Sequence, residues 1–313
     1  MATAVLPSIA RPFLENRLPY EIAPLWFDTS EQLLDLAPQA EIGWFDSFTD
    51  GNVANEATRQ AEKLRWLSTV AAGVDHLPLA LMAERNVTLT NGAGLHANTV
   101  AEYALLGMLE IAKGYREVVR AQDRREWLQQ PPGTRELAGS LALIVGAGAI
   151  GGRIAHLLRA FDVAVTEVRR SGTPGTLRPD AWRGALGEFD WVIVAVPSTP
   201  ETRGLFGAAE FAAMKPDATI LNFARGEVIE TDALLAAIDS GHLGAAFLDV
   251  TDPEPLPPEH PLWTRDNVHI SMHLSGRSQQ TIVQKGAERF LANLPRFSAG
   301  EPLAHEVDLS AGY

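Results

Sequence analysis

Leu141-Ala142-Leu143-Ile144-Val145 runs directly into Gly146-Ala147-Gly148-Ala149-Ile150-Gly151, and the apolar spacing Ile150, Ile154, Leu157, Leu158, Phe161 follows. The first five residues read as a buried parallel strand and the later spacing as an amphipathic helix. Between them each glycine has its own use. Gly146 permits the tight turn off the strand, Gly148 lets backbone approach a pyrophosphate, and Gly151 lets helix and strand pack closely. The helix N-terminus then aims free N–H groups and the positive end of its dipole at phosphate. A bare G-x-G-x-x-G is a weak signal. After a strand and at the head of a helix it predicts a dinucleotide site, with Ala149 and Ile150 among its contacts. No lysine follows the glycines, as a P-loop requires, and no G-x-S-x-G elbow occurs.

Working outward, short apolar runs at residues 163–168, 191–196, 219–223, 245–250 and 268–272 alternate with helical spacing such as Leu234, Leu235 and Ile238. This alternation predicts a parallel sheet covered by helices on both faces. Upstream, strands expected at 4–6, 41–45, 67–70 and 88–90 form a smaller unit of the same class. The glycine-bearing segment 91–94 opens a helix expected over 98–120, which carries the chain into the second unit. A last amphipathic helix, 278–294, has no evident place on the larger sheet and is assigned back to the first unit. The expected fold is α/β, with two Rossmann-like doubly wound parallel-sheet domains, a cleft between them and the smaller domain discontinuous. Residues 1–93 and 274–313 are expected to form the substrate (catalytic) domain, and 94–273 the dinucleotide-binding domain.

The 313 residues, 46% hydrophobic and 21% charged, have ordinary globular composition and length enough for two domains. With 39 acidic against 26 basic side chains the net charge is -13, which repels phosphate backbones and anionic lipid. Neither nucleic acid nor membrane is an expected partner. The longest uncharged runs, 86–101 and 137–152, fall short of the ~18 apolar residues of a membrane span, and residues 1–17 lack a signal-peptide pattern. The absence of cysteine removes disulfides, thiolate nucleophiles and Cys-held metals. A cytoplasmic location fits. His269 and His273 show no third ligand, so no metal is expected.

Cofactor identity is read where the second strand ends, at Val165-Thr166-Glu167-Val168-Arg169-Arg170-Ser171-Gly172. An acid at that end bonds the ribose 2′-hydroxyl of NAD, whereas a guanidinium fork suits the 2′-phosphate of NADP. Arg169, Arg170 and Ser171 favour NADP over NAD. Glu167, two residues deeper, is the ribose acceptor of the alternative reading.

Over essentially its whole length the chain resembles the D-2-hydroxyacid dehydrogenase family, in the manner of its NADP-leaning glyoxylate/hydroxypyruvate reductases. The resemblance is carried by Leu67-Ser-Thr-Val-Ala-Ala-Gly73-Val-Asp75, Thr99-Val-Ala-Glu102, Val196-Pro-Ser-Thr-Pro-Glu-Thr-Arg-Gly204, Leu221-Asn-Phe-Ala-Arg225-Gly-Glu-Val, Asp249-Val-Thr-Asp-Pro-Glu254-Pro and Met272-His273-Leu-Ser-Gly276. It implies Arg225, Glu254 and His273 as the catalytic set. It also implies Gly73 and Val74 as a loop whose N–H groups receive the substrate carboxylate, and Val196, Pro197, Thr202, Ala224 and Asp249 as cofactor neighbours, although Asp249, as a strand-end aspartate, equally suits a turn cap.

The catalytic three make chemical sense unaided. Arg225 follows a buried strand at the end where α/β sheets bind ligands, and its fork can hold a carboxylate and polarise the adjacent ketone. His273 ends the last strand of the larger unit and can pass a proton to the ketone oxygen, while a glutamate beside it favours and orients the imidazolium. The implied reaction is NADPH-dependent reduction of a small 2-keto acid, such as glyoxylate or hydroxypyruvate, to the D-2-hydroxy acid.

The alternatives are an NAD-dependent D-2-hydroxyacid or D-3-phosphoglycerate dehydrogenase, or, from another class, a dinucleotide-sensing corepressor-like scaffold. The Glu254/His273 pair argues against a formate dehydrogenase, which needs no proton donor. The row Arg116, Arg120, Arg124, Arg125 is expected as a solvated helix face. In the family this region lies near a dimer contact, which makes a homodimer the expectation.

Overall fold

The computed structural model describes residues 1–45, 51–169, 175–277 and 279–312, so that Phe48, Arg170 and Ser171 lie outside the described residues. The chain divides into two units, 1–96 with 277–313, and 97–276. Each junction falls three residues beyond the boundary read from the sequence (96 against 93, 276 against 273).

The first unit runs β1 (Ala2–Pro7), α1 (Arg11–Leu14), β2 (Ile22–Phe27), α2 (Ser30–Leu36), β3 (Ile42–Gly43), α3 (Gly51–Gln60), β4 (Trp66–Ser68), α4 (Leu79–Glu84) and β5 (Thr88–Thr90). The strands pair in parallel in the order β2-β1-β3-β4-β5. No strand is expected from the sequence at β2, because Pro24 lacks the N–H of a ladder donor. As the edge strand, β2 can turn that position away from its neighbour. Helix α2 starts where Thr29 Oγ1 accepts from Gln32 N at 3.2 Å and Gln32 Oε1 accepts from Thr29 N at 3.3 Å, a reciprocal cap.

The second unit continues with α5 (Ala97–Lys113), α6 (Tyr115–Arg124), β6 (Leu141–Val145), α7 (Ala149–Ala160), β7 (Ala164–Val168), β8 (Thr176–Leu177), β9 (Trp191–Val194), α8 (Ala208–Ala213), β10 (Thr219–Asn222), α9 (Thr231–Asp239), β11 (Ala245–Leu248) and β12 (Val268–Ile270). The single helix expected over 98–120 is two helices. Gly114 breaks it at φ +60°, and a Cβ there would meet Pro132 and Gly133 backbone at 2.7–2.9 Å. The sheet is parallel, in the order β12-β11-β10-β9-β6-β7-β8. Chain order reverses between β6 and β9, and the carboxyl ends of the strands beside that reversal are where such sheets bind ligands.

The period-two alternation of β6 divides its side chains between two cores. Ala142 and Ile144 pack with Val100, Ala104 and Met108 of α5 and with Ile154 and Leu158 of α7. Leu143 and Val145 pack with Trp182, Phe206, Phe211, Leu234 and Ile238 on the other face. Each such Leu, Ile or Phe contributes roughly 1.5–3 kcal/mol by leaving water.

The chain returns to the first unit as α10 (Gln279–Ala299). Val283, Ala287, Phe290 and Leu294 join Leu6, Ile42 and Trp66 in one core, with the Phe290 and Trp66 rings stacked 4.8 Å apart. At Gly286 a Cβ would fall 2.5 Å from Val70 Cγ1, so glycine lets the helix lie close on the sheet. Among the described residues no helix is long and apolar enough to cross a membrane.

Candidate active site

The glycine loop occupies the carboxyl end of β6, and its three glycines are in different surroundings. Gly146 has φ +103°, and a Cβ on it would lie 2.5 Å from the Ala195 carbonyl just past β9. At Gly151 a Cβ would lie 2.1 Å from Gly146 O, so only glycine lets α7 come this close to the turn. A Cβ on Gly148 would meet nothing within 4 Å. Gly148 is also the N-cap of α7 and gives it no side-chain hydrogen bond, which leaves the first N–H groups of the helix for an outside acceptor. Open backbone at Gly148 beside uncapped N–H groups at Ala149 and Ile150 fits a pyrophosphate.

At the end of β7, Glu167 is buried and does not present a free carboxylate. Its Oε1 accepts from Arg159 Nη2 at 2.8 Å, and its Oε2 accepts from Arg169 Nε at 3.1 Å and Nη2 at 2.5 Å. Burial pushes this carboxyl up, but the bonds and charges of the two arginines outweigh it and hold it below the usual glutamate range. Arg169 is half-buried at the strand end, with its backbone N–H bonded to Leu177 O at 2.9 Å.

On the other side of the reversal, β10, β11 and β12 are consecutive neighbours, and their carboxyl ends carry the residues around Arg225, Asp249 and His273. Beyond β10, Asn222 splints the turn. Its Nδ2 donates to Arg225 O at 2.9 Å and its Oδ1 accepts from Ala224 N at 3.0 Å. Arg225 Nη1 donates to Ala224 O at 3.0 Å. Glu227 binds Ser198 Oγ and Arg203 Nη2, the latter at 2.7 Å, and so ties this turn to the loop after β9. Gly226 brings the turn against the loop after β11, since a Cβ there would lie 2.0 Å from the Thr251 carbonyl.

In that second loop Glu254 Oε1 accepts from Thr251 N at 3.0 Å, while its Oε2 lies 2.8 Å from His273 Nδ1. Burial pushes the Glu254 carboxyl up. The bonds from His273 and the Thr251 N–H, with the charges of His273 and Arg225, reverse this and leave it below the usual range.

β12 stops at Ile270, so His273 does not end the strand as expected but lies three residues beyond it on an unusual backbone. Met272 and His273 both have positive φ, +54° and +55°, a conformation that costs roughly 1–3 kcal/mol at each non-glycine residue. Asp249 holds this turn from beneath. Its side chain accepts from Ser271 Oγ at 2.7 Å, from Ser275 N at 3.2 Å and from Ser275 Oγ, and its carbonyl accepts from His273 N at 2.6 Å. Asp249 is 3% exposed. The network around Asp249, the Glu227 tie and the close approach at Gly226 are absent from the sequence reading. Only the strand-end position of Asp249, which suits a turn cap, signalled any of them.

Thr202 Oγ1 donates to Pro197 O at 2.7 Å and accepts from Thr199 N at 2.8 Å, so it knits the loop after β9 that carries Val196 and Pro197. In the first unit, Gly73 and Val74 follow β4. Val74 is buried in the core, which leaves only its backbone for binding. Asn91 Nδ2 donates to Ala72 O at 3.0 Å, and Arg289 holds Asn91 O and Ala93 O at 2.7 and 3.0 Å.

The two histidines near β12 face different acids. His269 Nδ1 lies 3.1 Å from Glu110 Oε1, off the line of a good hydrogen bond, and His273 faces Glu254. Among the described residues no group of three His, Cys, Asp or Glu side chains is placed to hold a metal. The arginine row is partnered as well as solvated. Arg116 Nη1 donates to Val268 O at 2.7 Å, Arg120 pairs with Asp266 at 2.9 Å, and Arg124 pairs with Glu117 and Glu126.

Residues 105–275 match the family described as D-isomer specific 2-hydroxyacid dehydrogenase, NAD binding domain. The glyoxylate reductase/hydroxypyruvate reductase of Homo sapiens is 32% identical over 262 residues, 79% of this chain and 77% of that protein. A D-isomer specific 2-hydroxyacid dehydrogenase family protein from Aeromonas salmonicida superposes with TM-score 0.88 at 30% identity, covering 98% of this chain and 99% of that one. An NADPH-dependent glyoxylate/hydroxypyruvate reductase from Sinorhizobium meliloti, solved with NADP and sulfate, superposes with TM-score 0.82 at 25% identity and covers 100% of both chains. The strand order, the glycine loop and these likenesses agree, and the chain belongs to the D-isomer-specific 2-hydroxyacid dehydrogenases, NAD(P)-dependent oxidoreductases.

Proposed function

We propose that the protein is an NADPH-preferring reductase of small 2-keto acids of the glyoxylate and hydroxypyruvate type, forming the D-2-hydroxy acid and acting as a homodimer. The observation that carries this reading is the 2.8 Å pairing of His273 Nδ1 with Glu254, beside the Arg225 turn at one sheet edge. Gly146, Gly148, Ala149, Ile150 and Gly151 hold the pyrophosphate. Val196, Pro197 and Thr202 flank the adenosine half, and Arg169, Arg170 and Ser171 receive the 2′-phosphate. Bound there, the dinucleotide supplies or accepts the hydride.

The protein's own share is charge placement and proton transfer. Arg225 binds the substrate carboxylate and polarises the ketone. Because Glu254 occupies Nδ1, the His273 proton available to substrate is the one on Nε2. His273 donates it to the ketone oxygen in reduction and takes it back in oxidation. Ala224 and Asp249 border the reacting end, Asp249 as the anchor of the His273 turn. The dimer is supported by exposed Tyr115, Val119 and Trp127 in and just after α6.

Initial rates with glyoxylate, hydroxypyruvate, pyruvate and phenylpyruvate against NADPH and NADH test the reading directly. His273→Asn is expected to lower kcat by about 10²- to 10⁴-fold while NADPH still binds, as followed by its fluorescence. Normal turnover in that variant, or no turnover of any 2-keto acid by the wild type, overturns the assignment.

A further inference from the structure

An acid near the end of the second strand ordinarily signals NAD, because it bonds the ribose and repels a 2′-phosphate. Glu167 is acidic, lies next to that end, and is committed elsewhere. Its side chain is 7% exposed, whereas those of Arg159 and Arg169 are 52% and 39% exposed. The two arginines cover both of its oxygens from the solvent side. One Glu–Arg pair is neutral and offers a phosphate little. Two arginines on one carboxylate leave a net charge of +1 (two positive, one negative) at the surface of β7. The bond geometry also leaves a usable edge. Arg169 meets Glu167 through Nε and Nη2, so among the described residues its Nη1 remains for an incoming acceptor.

We infer that Glu167 is a positioning residue which, balanced by Arg159, holds the Arg169 guanidinium in place for the 2′-phosphate of NADP. The buried acid thereby supports the cofactor that its presence would seem to exclude. The inference rests on the NADP reading above and extends it to two residues that reading does not use. Magnitudes decide its direction. Removing the Glu167 charge raises the local net charge from +1 to +2, which across a solvated gap favours phosphate about two- to threefold. Releasing the clamp frees a long side chain whose rotamer entropy is equivalent to about tenfold or more in affinity. Loss of the clamp therefore outweighs the gain in charge.

The test is calorimetric titration with adenosine 2′,5′-bisphosphate and with 5′-AMP on the wild type, Glu167→Gln, Arg159→Met, Arg159→Lys and Arg169→Met. Glu167→Gln and Arg159→Met are expected to weaken the bisphosphate about three- to tenfold and 5′-AMP by less than about twofold, with Arg159→Lys recovering most of the loss. Arg169→Met is expected to weaken the bisphosphate about tenfold or more. If Glu167→Gln binds the bisphosphate as tightly as wild type or tighter while Arg169→Met is impaired, the positioning role is wrong and the NADP reading stands. A wild type with no preference for the bisphosphate overturns the NADP reading and this inference with it. Should Glu167→Gln fail to fold, the surface variant Arg159→Met decides, and unchanged bisphosphate binding there refutes the proposal.

Discussion

Gly226 lies between the two loops that present Arg225 and Glu254, and a methyl group at that position has no room. The Thr251 carbonyl carbon and oxygen would both be 2.0 Å away and Asp252 N 2.4 Å away. Backbone cannot rotate aside as a side-chain tip can, so Gly226→Ala is expected to part the loops. The predicted outcome is a stability loss of about 1–3 kcal/mol, typical of overpacking, and a fall in kcat/KM of about 10²-fold from misplacement of Arg225. Thermal melts and initial rates check both, and wild-type rates would refute the account. Gly146 and Gly151 were legible in the sequence because the strand, turn and helix around them are contiguous. Gly226 was not, since its constraint comes from Thr251, and no local pattern reports a contact with a separate loop. The placement of Arg225 and His273 beyond the carboxyl ends of strands was legible from the apolar runs that precede them. Asp249 was legible as a strand-end aspartate suited to cap a turn, but its serine partners were invisible for the same reason as Gly226. Ser271 and Ser275 are ordinary loop residues until the fold brings them to a buried carboxylate.

At the scale of elements, Asp190 joins the starts of neighbouring strands. It lies just before β9, and its Oδ2 accepts from the Leu141 N–H that opens β6 at 2.8 Å. Its Oδ1 accepts from Lys215 Nζ, near the start of β10, at 2.7 Å. Burial pushes its carboxyl up, and the bonds from Lys215 and the Leu141 N–H more than reverse this, leaving it below the usual aspartate range. A carboxyl lowered by folding contributes stability that is complete above its unfolded pKa and lost as pH falls through the folded value. Asp190→Asn is therefore expected to cost about 1–3 kcal/mol at neutral pH. The deficit should begin to shrink as pH falls below about 4, where the unfolded aspartate takes up its proton, and continue to shrink toward the lower folded value. Urea unfolding from about pH 7 down to 3.5 measures this, and a deficit that does not change with pH would show that the charge is irrelevant. The strands of the larger sheet were legible because burial on both faces makes them continuous apolar runs. β2 was hidden by Pro24, β8 is only two residues long, and the division of α5 from α6 depends on how Gly114 meets Pro132 and Gly133.

For the whole molecule, net charge and exposed apolar side chains make opposing demands. A charge of -13 keeps copies of the chain apart at long range, yet Trp127 is 89% exposed, Tyr115 56% and Val119 41%. Tyr115 and Val119 are four residues apart on α6 and so share one face. Exposed large apolar groups close together in sequence are what an association surface offers, and they support the proposed homodimer through the second unit. Like charge on the partners then fixes the sign of the salt response. Raising ionic strength from about 0.01 to 0.15 M shortens the screening length from about 30 to 8 Å, weakening the repulsion while leaving apolar burial intact, so the dimer is expected to tighten. Sedimentation equilibrium should show a dimer whose dissociation constant falls with salt. Tyr115→Ser with Trp127→Ser should raise that constant about tenfold or more, at roughly 1.4 kcal/mol per tenfold, with unchanged far-ultraviolet circular dichroism. A monomer at tens of micromolar, or a dimer that loosens as salt is added, would place the association surface elsewhere or remove it.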